Sequence, residues 1–264
     1  MHNKLYHIKK LLYHFIDFFY PPICLVCGDK INLNYKIKPD NNPTPDTNPY
    51  IMDTEFCCSR CKSQVTFAGN KYEVIADIIP NYDTDNFAIA NAISLFKNTK
   101  NLPIINLIYA LKYKGFKRIG IEYGEWLGKI LLQENMKDYD YIVPVPIHFA
   151  RIRERGFNQS DCISMGINKI MNAEIIFDLL KRNKNTLSQT QITQTERLKN
   201  MENVFVLNKK YNAANKKHNI KYNIQGKKIL LVDDVLTTGS TLNSCALVLL
   251  ENKVKQVDIA TLLS

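Results

Sequence analysis

Near the carboxyl end an apolar run, Ile229-Leu230-Leu231-Val232, leads straight into Asp233-Asp234. Val235-Leu236 follow, then a turn of Thr237-Thr238-Gly239-Ser240-Thr241 and a helical pattern from Leu242 to Leu250. A run with no polar face is a strand covered on both sides, as the central strands of parallel sheets are. Parallel neighbours need helical crossovers, so this segment commits the chain to an α/β architecture.

The turn after the strand is suited to an anion. It presents backbone N–H groups and several hydroxyls at the positive end of a helix dipole, and Gly239 lets the backbone come close to a phosphate or adopt a positive φ. Two carboxylates just before it suit sugar hydroxyls, which donate to acids, or a magnesium ion held through water. Phosphate at one end and a diol at the other describe a ribose 5-phosphate. Strand ends in open parallel sheets are where such ligands sit. Helix capping alone needs a single Ser or Thr, and this turn has more.

The rest of the chain fits the same architecture. Ile104 to Leu111 and Ile119 to Leu132 read as helices separated by a turn at Tyr113-Lys114-Gly115-Phe116. Tyr141-Ile142-Val143 reads as a buried strand stopped by Pro144-Val145-Pro146, residues 163–171 as a helix, Val204 to Leu207 as a strand and Val257 to Leu262 as the last strand. Residues 5–19 predict an amphipathic helix packed on the module that follows, with Leu11, Leu12, Phe15, Phe18 and Phe19 on one face. Residues 36–50 hold four prolines among Asn and Asp and predict an unstructured insert within 31–56. Residues 208–228 carry seven lysines and no acid, and 208–226 read as a second, solvated insert. The expected organisation is a module over 1–70 and an α/β domain over 71–264, with 71–135 as a possible hood.

Two further segments bear charge toward the strand ends. Arg151, Arg153 and Arg155 precede Gly156-Phe157-Asn158-Gln159-Ser160 soon after the Pro144-Val145-Pro146 stop. Guanidiniums there suit pyrophosphate through bidentate contacts, or form a solvated face. The polar stretch from Lys181 to Gln191, followed by Glu196-Arg197, has the composition of a mobile loop able to close over a reactive ligand, carrying Arg182 and Arg197. Lys112-Tyr113-Lys114 interleaves bases with an aromatic, a mixture that holds single-stranded nucleic acid or that a core aromatic between solvated lysines also produces.

Cys24-x-x-Cys27 and Cys58-x-x-Cys61 predict one tetrahedral zinc site of structural type, since four thiolates leave no open position for catalysis. Cys57 competes with Cys58 for the third place, though the two-residue spacing favours Cys58. The stretch from Leu5 to Cys27 carries Lys9, Lys10 and Asp17, so neither a membrane span nor a secretion signal is expected, and the protein is expected in the cytoplasm.

From Ile229 to Thr241 the sequence resembles the type I phosphoribosyltransferases, whose phosphoribosyl-pyrophosphate (PRPP) signature is an apolar strand followed by Asp-Asp-x-x-Thr-Thr-Gly-x-Thr. The resemblance implies that Asp233 and Asp234 hold the ribose hydroxyls and take any catalytic role. It also implies that Val235, Leu236, Thr237, Thr238, Gly239, Ser240 and Thr241 complete the PRPP site, with Arg153, Arg155, Arg182 and Arg197 toward the pyrophosphate and magnesium accompanying PRPP. The wider set of motifs is similar to the ComF family of competence-associated, phosphoribosyltransferase-like proteins. It comprises Asp17-Phe18-Phe19-Tyr20-Pro21-Pro22 before Cys24-x-x-Cys27-Gly28, Ala110 to Gly115, Val143-Pro144-Val145-Pro146, Arg153-x-Arg155-Gly156-Phe157-Asn158-Gln159, Gln189-Thr190 with Glu196-Arg197, and Val232 to Thr241. The inserts are longer than the family pattern, and Gln194 stands where a basic residue is common.

The formal charge of +10 favours anionic partners. The resemblance implies PRPP, single-stranded DNA and the competence machinery as partners, with a role in DNA uptake and a possible pentosyl transfer. Two other readings stay open: a nucleobase phosphoribosyltransferase of salvage metabolism, and a non-catalytic module that senses PRPP.

Overall fold

The computed structural model describes residues 23–31, 56–83, 86–98, 103–183, 204–211 and 222–264. The helix expected over 5–19, the inserted segment at 36–50, Gln189-Thr190, Gln194, Glu196-Arg197 and most of the lysine-rich 208–226 lie outside the described residues. The chain divides into two compact units, one of Met1–Val65 with Lys100–Ala110, the other of Thr66–Thr99 with Leu111–Ser264.

In chain order the elements are helices α1 (Ser59–Lys62) and α2 (Lys71–Ile78), strand β1 (Asn91–Phe96), helices α3 (Pro103–Tyr113) and α4 (Lys117–Gln133), strand β2 (Tyr141–Pro144) and helices α5 (Phe149–Arg155) and α6 (Gln159–Met171). Strands β3 (Glu174–Ile175), β4 (Leu180–Arg182), β5 (Phe205–Leu207) and β6 (Lys228–Val235), helix α7 (Ser240–Glu251) and strand β7 (Gln256–Leu263) complete the fold.

In the second unit five strands form a parallel sheet in the order β1-β7-β6-β2-β3. The apolar run therefore lies at the centre. Its side chains alternate between two covered faces. Ile229 and Leu231 join Val257 and Ile259 against Leu242, Cys245, Ala246 and Leu249 of α7 and Val74 and Ile78 of α2. Helices α4 and α6 cover the other face. This is the α/β fold of parallel sheet and flanking helices that the sequence predicts. β4 and β5 pair antiparallel in a separate two-stranded sheet, so Arg182 begins as part of a hairpin. Asn91–Phe96, inside the stretch expected as a hood, is the edge strand of the main sheet.

Helices α4 and α6 meet at backbone distance. A Cβ added to Gly124 would lie 2.3 Å from the carbonyl oxygen of Ile163, and one added to Gly166 would lie 2.1 Å from that of Ile121. The start of α6 is held separately. Its N-cap, Asn158, accepts from the Ser160 amide and donates to the carbonyl of Val145 at 3.0 Å, just past the end of β2. Val145 in turn donates its amide to Val232 of β6. The start of α6 is thereby tied to the carboxyl ends of the two central strands. No helix among the described residues is long and apolar enough to cross a membrane.

Candidate functional site

The carboxyl end of β6 carries the acid pair. Asp233 Oδ1 accepts from the Ser160 hydroxyl at 3.0 Å and from the Asp234 amide at 2.8 Å. Burial, helped by the neighbouring charge of Asp234, pushes Asp233 up to about 7, against the pull of those two donors and of Lys112. Asp234 Oδ2 faces the Lys112 ammonium at 3.0 Å, and both side chains are largely buried, 21% and 12% exposed for Lys112 and Asp234.

Val235 pairs with Leu263 as the last strand residue. Leu236 was expected in the PRPP site. Its side chain is in the core and its amide donates to the carbonyl of Leu263 at 2.6 Å. The turn continues through Thr237, Thr238, Gly239, Ser240 and Thr241 into α7. Gly239 stands at φ +81° as the N-cap of α7, in the left-handed region where other residues are strained. Thr238 bonds Ser240 through its hydroxyl, and its carbonyl accepts from the Tyr82 hydroxyl at 3.0 Å. Burial pushes Tyr82 up to about 12, so it stays a donor. Asn243 of α7 accepts from the amide of Ala88 and donates to the carbonyl of Asn86, anchoring that neighbouring loop.

The remaining basic candidates sort by their contacts. Arg155 donates to Gln159 Oε1 at 2.8 Å and to the Tyr113 hydroxyl at 3.2 Å, with its guanidinium 4.9 Å from the Tyr113 ring centre. Arg153 lies over Phe149 and Arg182 over Phe205. Arg197 lies outside the described residues. Lys112, expected at a nucleic-acid surface with Tyr113 and Lys114, holds its ammonium 3.0 Å from Asp234 Oδ2. Tyr113 and Lys114 are exposed. Ser160 and Tyr82 were not among the expected site residues. Ser160 is legible in hindsight as a hydroxyl two places after an Asn N-cap, whereas nothing in the sequence around Tyr82 marks it.

In the first unit, Cys24, Cys27, Cys58 and Cys61 bring their sulfurs within 4.8 Å of one another. Cys27 and Cys58 Sγ stand 3.7 Å apart. Four thiolates around a tetrahedral ion at about 2.3 Å are spaced by about 3.8 Å, so the cluster fits a metal ion of that kind. Cys58 takes the third place, and the buried Cys57 thiol turns to the carbonyl of Cys58. Burial opposes ionisation of Cys24, yet amides of Cys58, Cys27 and Val26 bring it down to about 6. Cys61 is raised by burial and by the neighbouring cysteines.

Comparison with known proteins agrees with this architecture. A phosphoribosyl transferase domain model matches residues 170–264, the part of the chain that holds β6, the acid pair and the turn. Competence protein F of Haemophilus influenzae is 32% identical over 118 residues, which is 45% of this chain and 47% of that protein. The DNA utilization protein YhgH of Escherichia coli (strain K12) is 28% identical over 165 residues, 60% of this chain and 65% of that protein. Competence protein ComFC of Bacillus subtilis (strain 168) is 32% identical over 123 residues, 46% and 43%. The chain thus spans less than two thirds of the length of each of these relatives.

Proposed function

The chain belongs to the ComF family, and from that premise we propose that it binds PRPP and acts in DNA uptake in the cytoplasm, handling single-stranded DNA. The observation that carries the PRPP reading is the juxtaposition at one strand end. Two acids, one facing a lysine and one facing a serine, lie immediately before a glycine turn whose amides open onto the start of α7.

In this reading Thr237 to Thr241 cradle the 5-phosphate with amide hydrogens and hydroxyls. Asp233 and Asp234 accept from the ribose hydroxyls. Magnesium arrives with PRPP as part of the substrate. Arg153, Arg155, Arg182 and Arg197 supply positive charge toward the pyrophosphate. If transfer occurs, the acids orient the ribose while positive charge develops at its anomeric carbon. The domain over 71–264 performs this role, and the module over 1–70 holds a structural zinc on Cys24, Cys27, Cys58 and Cys61. Lys114 and Tyr113, both exposed, are the proposed contacts to a nucleic-acid strand. The DNA role draws its support from the names of the relatives and from the charge of +10.

Two measurements on the purified chain test the proposal. Single-stranded oligonucleotide binding followed by anisotropy should weaken steeply as salt rises; binding that ignores salt, or no binding, contradicts the DNA role. Incubation with magnesium and PRPP against a panel of nucleobases and oligonucleotides, with pyrophosphate as readout, separates a binding protein from a transferase. Release driven by a free nucleobase would instead assign the chain to salvage metabolism.

A further inference from the structure

Resting on the PRPP reading above, we infer that Lys112 is the residue that makes the site discriminate a sugar bearing a 1-pyrophosphate from the same sugar phosphate without it. Lys112 comes from the last turn of α3, outside the strand-turn-helix segment that forms the site. Its ammonium lies 3.0 Å from Asp234 Oδ2. An ion pair this sheltered is screened little by salt, so the lysine stays beside the acid rather than wandering in solvent.

The chemistry of the ligand makes that position informative. In PRPP the anomeric oxygen is cis to the 2- and 3-hydroxyls, so it lies within contact distance of the hydroxyl next to it. A cation beside the carboxylate that accepts from those hydroxyls is therefore beside the first phosphate of the pyrophosphate. An ammonium has three donors. It can keep one on Asp234 and aim another at a pyrophosphate oxygen, a charge-assisted bond of the stronger kind. Ribose 5-phosphate lacks that oxygen's charge and gains nothing from the lysine; its hydroxyls compete with the ammonium for Asp234. The neighbouring Arg155 is differently placed, with its guanidinium engaged by Gln159 and Tyr113.

The test compares two ligands on three proteins. Calorimetric titration of the full-length wild type, Lys112→Met and Lys112→Arg with PRPP and with ribose 5-phosphate, in magnesium, reads the ratio of the two affinities. Lys112→Met should weaken PRPP by about 10- to 100-fold while ribose 5-phosphate binds as before or more tightly, so the ratio collapses. Lys112→Arg should restore part of it. If Met at this position prevents folding, Lys112→Gln reports the same ratio. A variant that weakens both ligands equally, or leaves the ratio unchanged, overturns the role of Lys112 and leaves the PRPP reading standing. A wild type that binds neither ligand overturns both.

Discussion

Replacing Gly166 with Ala perturbs the packing that places the site. An added Cβ would lie 2.1 Å from the carbonyl oxygen of Ile121, 2.7 Å from the amide nitrogen of Glu125 and 2.8 Å from Cα of Gly124. All three are backbone atoms of α4 and cannot rotate away. Carbon contacts settle near 3.5 Å, so the helices would have to part by roughly 1 Å, which forfeits a quarter to a half of the dispersion attraction along the seam. Fully buried Leu127, Ile163 and Ile167 are among the side chains on these two helices. Overpacking of this kind costs about 3 kcal/mol, more than the helix-propensity gain of about 1 kcal/mol from Gly to Ala offsets. A net loss of about 2 kcal/mol lowers the melting temperature by roughly 4–8 °C for a chain of this size. Gly226→Ala is the control: it also changes a glycine, at φ +71°, but its Cβ would meet nothing within 4 Å, so only a left-handed penalty of about 1 kcal/mol applies. Thermal melts of both variants beside the wild type, followed by circular dichroism, decide it. A Gly166→Ala melt within a degree or two of the wild type, or a Gly226→Ala variant that is the more damaged, would contradict the close helix contact.

Asp258 is fully buried and accepts from Tyr139 at 2.7 Å, Asn91 at 2.9 Å and Gln256 at 3.0 Å, with Lys228 at 3.7 Å. Asp258→Ala should therefore lose about 3–5 kcal/mol in urea unfolding and Asp258→Asn less; equal losses would contradict the network. Cys24→Ser with Cys27→Ser should release the metal measured by elemental analysis and destabilise the first unit, and metal-free wild type would remove the premise. Because Asp233 titrates near 7 and accepts best when ionised, PRPP affinity should rise with pH through that window, by up to about tenfold per pH unit below it, and Asp233→Asn should flatten the profile. Folding responds with the opposite sign. A carboxyl raised in the folded state contributes stability that is present below its ordinary value and is lost as pH rises through about 7, so between about pH 4 and 7 the ligand-free wild type should lose more stability than Asp233→Asn does.

The site was legible where its signal is local. The apolar run, the two acids and the glycine turn are contiguous, and their strand, turn and helix follow from side-chain pattern and backbone permissiveness alone. What pattern could not reach is contact between distant segments. Lys112 reads as one base among aromatics, and only the path of α3 carries it to Asp234. Ser160 and Tyr82 reach Asp233 and Thr238 in the same way. β1 carries no clear strand pattern because Asn91-Ala92-Ile93-Ser94-Leu95-Phe96 interrupts its apolar residues with Asn and Ser, although Ser94 is buried and bonded by Thr261. Gly120, Gly124 and Gly128 were visible at four-residue spacing, but a helical glycine reads as a weakness until a second helix is seen to need the space. β3 is two residues long and takes its identity from pairing with β2 rather than from its own composition.

Asp233, Asp234 and the turn after them are proposed to hold a sugar phosphate. Calorimetric titration of magnesium PRPP into the wild type and into a variant with both Asp233→Asn and Asp234→Asn, each confirmed folded by its far-ultraviolet spectrum, tests it most directly. Saturable binding to the wild type and none to the variant is the expected result. Equal affinity for the two proteins would contradict it.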